Sequence, residues 1–198
     1  MTLPPLLFLG LLAVVGCAAL PLSAQKSPVE GLAGSPVRVL IFEDLQCSDC
    51  AVLRIMMDEK LLPRYGSQVA FVHKEFPLPR HTWARRAAVA ARYLGERKPE
   101  LGVAFRRFIL SDIKQTTDAN FSQRLDEFAE AKGVDSAALQ NALSGKSYAE
   151  WVEKDYQEGV ARGVSKTPTV FVDGKPFIET FTFEELAKAI DEALAQTR

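Results

Sequence analysis

The sequence is short of the residues from which metal sites and nucleic-acid surfaces are usually made. It has two histidines, His73 and His81, and three cysteines, of which Cys17 lies in an N-terminal stretch of leader character. Tetrahedral zinc needs four N, S or O ligands, and neither the histidines nor the cysteines are spaced to supply them, so no zinc site is expected. Neither sign of charge is in excess. With 24 Lys and Arg against 25 Asp and Glu the net charge is -1, which gives no electrostatic case for nucleic acid or an anionic membrane surface as partner. Internal repeats and low-complexity tracts are also absent.

The 198 residues, 47% hydrophobic and 25% charged, have the composition of a soluble domain able to bury a real core. Residues 1–24 carry no charged side chain, and Leu6 to Val15 has the length of a signal-peptide apolar region rather than of a membrane span. Leu22-Ser23-Ala24 before Gln25 reads as a cleavage site, making 1–24 a signal peptide. Val14-Val15-Gly16-Cys17 competes as a lipobox, with a leader 1–16 and a lipid on Cys17. On either reading the domain works outside the cytoplasm, in a bacterial periplasm or at the cell surface, where disulfides persist. Residues 25–35, rich in Gly, Ser and Pro, are expected to be a linker and 36–198 the folded domain.

Two cysteines organise that domain. Cys47-Ser48-Asp49-Cys50 stands between an apolar strand, Val37 to Phe42, and a helical pattern, Ala51 to Leu62, that Pro63 and Gly66 should end. At a helix start the first cysteine meets unpaired N–H groups and the positive end of the helix, which stabilise a thiolate. Cys47 is therefore expected to be exposed and ionisable, and Cys50, one turn inward, buried and placed to resolve a mixed disulfide. Copper delivery through the two thiolates, with His73 or His81 as a third ligand, remains open, and so does a purely structural disulfide.

A second strand, Val69 to Val72, completes a parallel strand-helix-strand unit with the cysteines at the carboxyl end of the first strand, where sites fall in such sheets. From about 80 to 163 the pattern is helical: Trp83 to Tyr93 closed by Gly95, Pro99 to Leu110, Ser122 to Lys132, Asp135 to Leu143, and Tyr148 to Arg162 with a capping box at Ser147 and Glu150. Trp83, Phe105, Phe108, Phe121, Phe128 and Trp151 are read as its core. His81 is expected near the cap of the first of these helices. Strands at Thr169–Val172 and Pro176–Ile178 flank an Asp173-Gly174 turn. A final helix has a capping box at Thr182 and Glu185, with Phe181 and Leu186 as a staple.

Phe42-Glu43-Asp44-Leu45-Gln46-Cys47, Phe76-Pro77-Leu78 and Thr167-Pro168-Thr169 together make the sequence resemble the DsbA-like branch of the thioredoxin superfamily. The resemblance implies an α/β thioredoxin fold with a helical insertion between the second and third core strands. It also implies a thiol-disulfide oxidoreductase with Cys47 and Cys50 as catalytic residues, exchanging its disulfide with reduced or misoxidised exported proteins, in the leading reading as oxidant, although a reductase or isomerase of the same fold stays open. A quinone-linked membrane reoxidant is the partner it implies, with no cofactor. It further implies a cis peptide before Pro168, with Thr167 and Pro168 contacting substrate. Two departures stand out. Ser48 and Asp49 between the cysteines replace the Pro-His of strongly oxidising members, and the Asp49 carboxylate should disfavour an ionised Cys47. The buried acid of thioredoxin, six residues before the first cysteine, falls on Ile41, leaving Glu43 or Asp44 as a conjectural substitute.

Overall fold

The computed structural model describes residues 27–197, so the leader, the cleavage site and the Cys17 lipobox lie outside the described residues. At its centre β2 (Arg38–Glu43) and β3 (Ala70–Glu75) pair in parallel, Val39 opposite Phe71 and Ile41 opposite His73. They are joined through α1 (Ser48–Met56), a π-helical turn (Met57–Leu61) and α2 (Leu62–Tyr65). Of the two residues expected to end the helix, Gly66 does so as the C-cap, while Pro63 is carried inside the helical path, which runs on to Tyr65. Proline has no N–H to donate and its ring crowds the turn before it. The π turn, in which the Leu62 N–H bonds the Met57 carbonyl, widens the coil immediately ahead of the ring.

The sheet has the order β1-β3-β2-β4-β5. β4 (Thr169–Val172) runs antiparallel to β2 and turns back into β5 (Lys175–Ile178). The turn residues Asp173 and Gly174 have φ 48° and 77°, the positive values a two-residue type I′ hairpin requires. α8 (Phe183–Gln196) opens on the capping box of Thr182 and Glu185. Its Leu186 and Ile190 pack with Leu53, Met57 and Leu61 over Val39, Ile41, Phe71 and Val170. Each such large side chain, fully buried, is worth roughly 1.5–3 kcal/mol relative to exposure.

One boundary moves. Within the expected linker 25–35, the described residues from 27 on do more than link: β1 (Val29–Gly31) forms the sheet edge antiparallel to β3, with Val29 opposite Val72. Ser35 also donates to the Gln68 carbonyl at 2.6 Å and accepts from the Val37 N–H at 3.0 Å. A three-residue strand is too short to show alternation, so the Gly, Ser and Pro around it dominated the pattern.

The helical insertion leaves after β3 and returns before β4, that is, between the second and third strands once the edge strand β1 is set aside. It comprises α3 (Ala84–Arg97), α4 (Pro99–Ser111), α5 (Phe121–Lys132), α6 (Ser136–Ala142) and α7 (Lys146–Ala161). Phe105, Phe121, Leu125, Phe128 and Leu139 form its core, with Trp83 stacked on Phe121 at 5.6 Å between centroids. Phe108 and Trp151 are only partly buried. Gly95 lies inside α3 rather than at its end, because α4 crosses there: a Cβ on Gly102 would sit 2.8 Å from the Gly95 Cα. The expected cap at Ser147 is not used. α7 begins at Lys146, with Gly145 at the N-cap and no side-chain cap.

Candidate functional site around Cys47 and Cys50

β2 ends by turning sharply, the Cys47 N–H bonding the Asp44 carbonyl at 3.0 Å, and Cys47 becomes the N-cap of α1 in an extended conformation with φ -91° and ψ 126°. No side chain caps this helix, so its first N–H groups are left to the sulfur. The Cys47 thiol is lowered to about 6. A hydrogen bond from the Cys50 side chain is the largest cause; desolvation opposes it, and Thr167 and the N–H groups of Cys50 and Asp49 add to the lowering. Cys50 goes the other way. Fully buried, its thiol is pushed well above the usual cysteine value by desolvation first, then by the neighbouring Cys47 sulfur and the charge of Glu43. The Asp44 N–H reaches its Sγ at 3.4 Å.

Thr167 and Pro168 are brought to the same place from across the insertion. The Cys47 thiol donates to the Thr167 carbonyl at 3.2 Å, and the Thr167–Pro168 peptide is cis. The Thr167 hydroxyl is buried and has no partner among the described residues, which leaves it free to donate to a Cys47 thiolate. Cys47 itself is not exposed, as the sequence suggests, but 5% accessible, because the Thr167 loop and the insertion core close over it. Ser48 and Asp49 are exposed. The expected opposition from the Asp49 carboxylate is not among the main causes that set the Cys47 thiol. Its carboxylate is on the exposed side while its N–H faces the sulfur, so the residue lowers the thiol through its backbone.

Both conjectured acids are buried, each held by its own partners. Asp44 accepts from the N–H of Gln46 and of Leu78, both at 2.7 Å, and lies 2.8 Å from His81 Nδ1. Burial raises its pKa against these bonds. Glu43 is opposed by burial yet held at about 2 by His73 and Arg106. His73 Nδ1 lies 2.5 Å from Glu43 and its Nε2 2.9 Å from Glu30. Burial disfavours its charged form, but the two carboxylates win and raise its pKa. Arg106 donates to Glu43 at 2.7 Å and also to Glu75, which lies beside Arg92, and Arg92 pairs with Asp155. Asp155 accepts from Lys74 at 3.1 Å. With both histidines engaged by carboxylates, neither stands as a third ligand beside the thiols. Among the described residues no group of three or more His, Cys, Asp or Glu is arranged to hold a metal ion.

Glu43 stood out in the sequence as a conjectural acid and His73 as a candidate third ligand, but nothing there pointed to the ionic ladder that joins them to Glu75, Arg92, Arg106 and Asp155. Nor was a structural role assigned to Gln46, whose Oε1 accepts from the Trp83 and Ala84 N–H groups at 2.9 and 3.1 Å. The residue before Cys47 thus caps the first helix of the insertion, which locks the two halves of the site together. The only available signal was its place next to Cys47.

An α/β sheet, a helix opening on Cys-x-x-Cys and a proline loop set against it define a thioredoxin fold. The family model described as Thioredoxin matches residues 23–192, and the chain belongs to that family. Its architecture is DsbA-like: alpha-DsbA1 of Wolbachia pipientis matches with a TM-score of 0.76 at 18% identity, over 90% of this chain and 94% of that one. Also similar is alpha-DsbA2 of the same organism, described as a thiol-disulfide exchange protein, at a TM-score of 0.71 and 20% identity over 84% and 86% of the two chains. Among curated proteins, the Na(+)/H(+) antiporter NhaA 3 of Salinispora tropica is 28% identical over 184 residues, 90% of this chain and 26% of the antiporter. The chain thus spans about a quarter of the length of the curated relatives it matches. Among the described residues no helix is long and apolar enough to cross a membrane.

Proposed function

We propose that the chain is a protein thiol-disulfide oxidoreductase that works outside the cytoplasm and passes a Cys47–Cys50 disulfide to the cysteines of exported proteins, acting as oxidant. The observation that carries this reading is the asymmetry of the pair, with Cys47 lowered to about 6 and Cys50 raised well above the usual value. A substrate thiolate attacks Cys47 Sγ, the Cys47–Cys50 bond breaks, and Cys50 leaves, taking a proton to become a thiol. A second substrate thiolate then attacks the substrate sulfur of the mixed disulfide. The substrate disulfide forms and Cys47 departs as a thiolate, so two electrons pass from the substrate to the pair. A low pKa makes Cys47 a good leaving group and stabilises the reduced pair, which favours the oxidising direction. The Thr167 and Pro168 loop, in contact with Cys47, supports a role in holding an extended substrate segment there. Turnover needs an oxidant to remake the disulfide, and a quinone-linked membrane protein is the partner the family resemblance implies.

The test is oxidative folding of a reduced, unfolded model protein. The oxidised chain should catalyse disulfide formation, Cys47→Ser should abolish it, and Cys50→Ser, mixed with the disulfide-bonded form of the same model protein, should accumulate a mixed disulfide through Cys47 as one substrate sulfur leaves as a thiol. A pair whose thiol content does not change through the assay would overturn the reading.

A further inference from the structure

Alternation along β2 and β3 turns Val39, Ile41 and Phe71 toward α8, and Leu40 and Val72 to the opposite face of the sheet. The insertion leaves part of that face open. A groove of about 820 Å³ lies over Leu40 and Val72, walled by Pro28 and Val29 on one side and by α3 and α7 on the other. Its volume is within the range of small-molecule sites. Neither cysteine lines it, nor do Thr167 and Pro168, so it is separate from the exchange site.

The two ends of the groove differ in charge. At one, Arg38 stands two residues from Leu40 on the same face, and the Arg162 guanidinium lies 6.0 Å from the ring of Phe171, the residue paired with Leu40. Arg38 donates to the Ala33 carbonyl at 3.4 Å and has no carboxylate partner among the described residues. At the other end the charges are engaged with one another. Lys74 pairs with Asp155 and Glu158 at 3.1 and 2.9 Å, Glu158 also holds Arg162 at 3.0 Å, and Glu96 accepts from the Tyr148 hydroxyl at 2.5 Å. An anion is therefore favoured at the Arg38 end and opposed at the Glu96 end. The floor between them is side chains only, on strands whose N–H and C=O groups are taken up by the sheet. A peptide buried there would leave its own backbone groups unpaired, which is costly. A ligand with its polar atoms gathered at one end avoids that cost, and its apolar body covers Leu40 and Val72.

We infer that this groove binds a free single-chain carboxylate lipid, with its acyl chain over Leu40 and Val72 and its head group at Arg38. The probes are decanoate, decanol and decyltrimethylammonium, each titrated calorimetrically into the protein below micelle formation. One saturable site should appear, with Kd rising in that order by about five-fold from first to last at low salt. The Arg38→Gln, Arg162→Gln double variant should lose the preference for decanoate, and Ala33→Trp, which sets a large side chain in the groove, should weaken all three. Ala33, Arg38 and Arg162 are exposed, so the variants keep the fold, and thermal unfolding checks that they do. Non-saturable uptake, equal affinity for the three probes, a preference that survives the double variant, or binding unchanged in Ala33→Trp overturns the inference. Displacement of decanoate by an equimolar apolar peptide also overturns it, by making the occupant a peptide. Because the readout is binding, failure of the oxidative-folding assay leaves this site standing, and failure of binding leaves the exchange reading standing.

Discussion

Cys47 and Cys50 sit one helical turn apart, and their surroundings drive the two thiols in opposite directions. In front, Cys47 faces donors: the first N–H groups of α1, the Cys50 thiol and the Thr167 hydroxyl. Behind, Cys50 faces desolvation and the negative charge of Glu43, which is fixed by His73 and Arg106. Donors without charge at the mouth and a rigid buried charge at the back thus divide the labour of a redox pair. The contrast shows why a bare Cys-x-x-Cys says little: the helix start supplies half the asymmetry, and the other half comes from residues distant in sequence.

The largest effect should come from breaking the ladder behind the pair. Arg106 is fully buried between Glu43 and Glu75. Arg106→Met leaves two buried carboxylates each short of one charged partner and should cost about 3–5 kcal/mol, read by urea unfolding of the reduced protein. A loss below about 1 kcal/mol would mean that the ladder carries little of the fold.

Next in size is a pH dependence set by Cys47. Its pKa is lowered on folding, so the stability this contributes is fully present above the unfolded thiol value near 9 and is lost as pH falls through about 6. Reduced protein should therefore gain on oxidised protein between pH 6 and 9, by about 2 kcal/mol once solvent screening at the mouth is allowed for. Parallel denaturation curves of the two forms across that range would contradict it.

Thr167→Val sharpens the contrast from the front. It removes a hydroxyl that has no partner among the described residues and should raise the Cys47 pKa by about one unit. At pH 7 that makes the couple less oxidising by about 20 mV, read by equilibration with glutathione. An unchanged pKa would take Thr167 out of the donor set. Asp49→Asn should have the smallest effect, moving the Cys47 pKa by less than about 0.3 units because the carboxylate is exposed and screened; thiolate absorbance measures it, and a fall of a full unit would restore the opposing role its sequence position suggests.

The elements that carry strong local signals were legible. The Asp173-Gly174 turn between β4 and β5, the capping box of Thr182 and Glu185, and the cysteines between a strand and a helix all follow from short-range rules. Three features were not. β1 is three residues long and reads as linker, and the π turn before Pro63 has no composition of its own. The ladder of Glu43, His73, Glu75, Arg92, Arg106 and Asp155 is charged in sequence and buried only because the insertion folds back over the sheet, pairing residues up to 80 positions apart. Charge is the local cue for exposure, so burial of paired charges becomes visible only in three dimensions. The exposure expected of Cys47 failed for the same reason, since Thr167, which covers it, is 120 residues away.

The measurement closest to the central claim is alkylation of the reduced protein across pH, with the labelled cysteine identified by mass spectrometry. Cys47 should react with a half-maximal rate near pH 6 and Cys50 should stay unlabelled through pH 9. A Cys47 midpoint at the ordinary thiol value of about 8.5, or labelling of Cys50 first, would contradict the division between the two sulfurs.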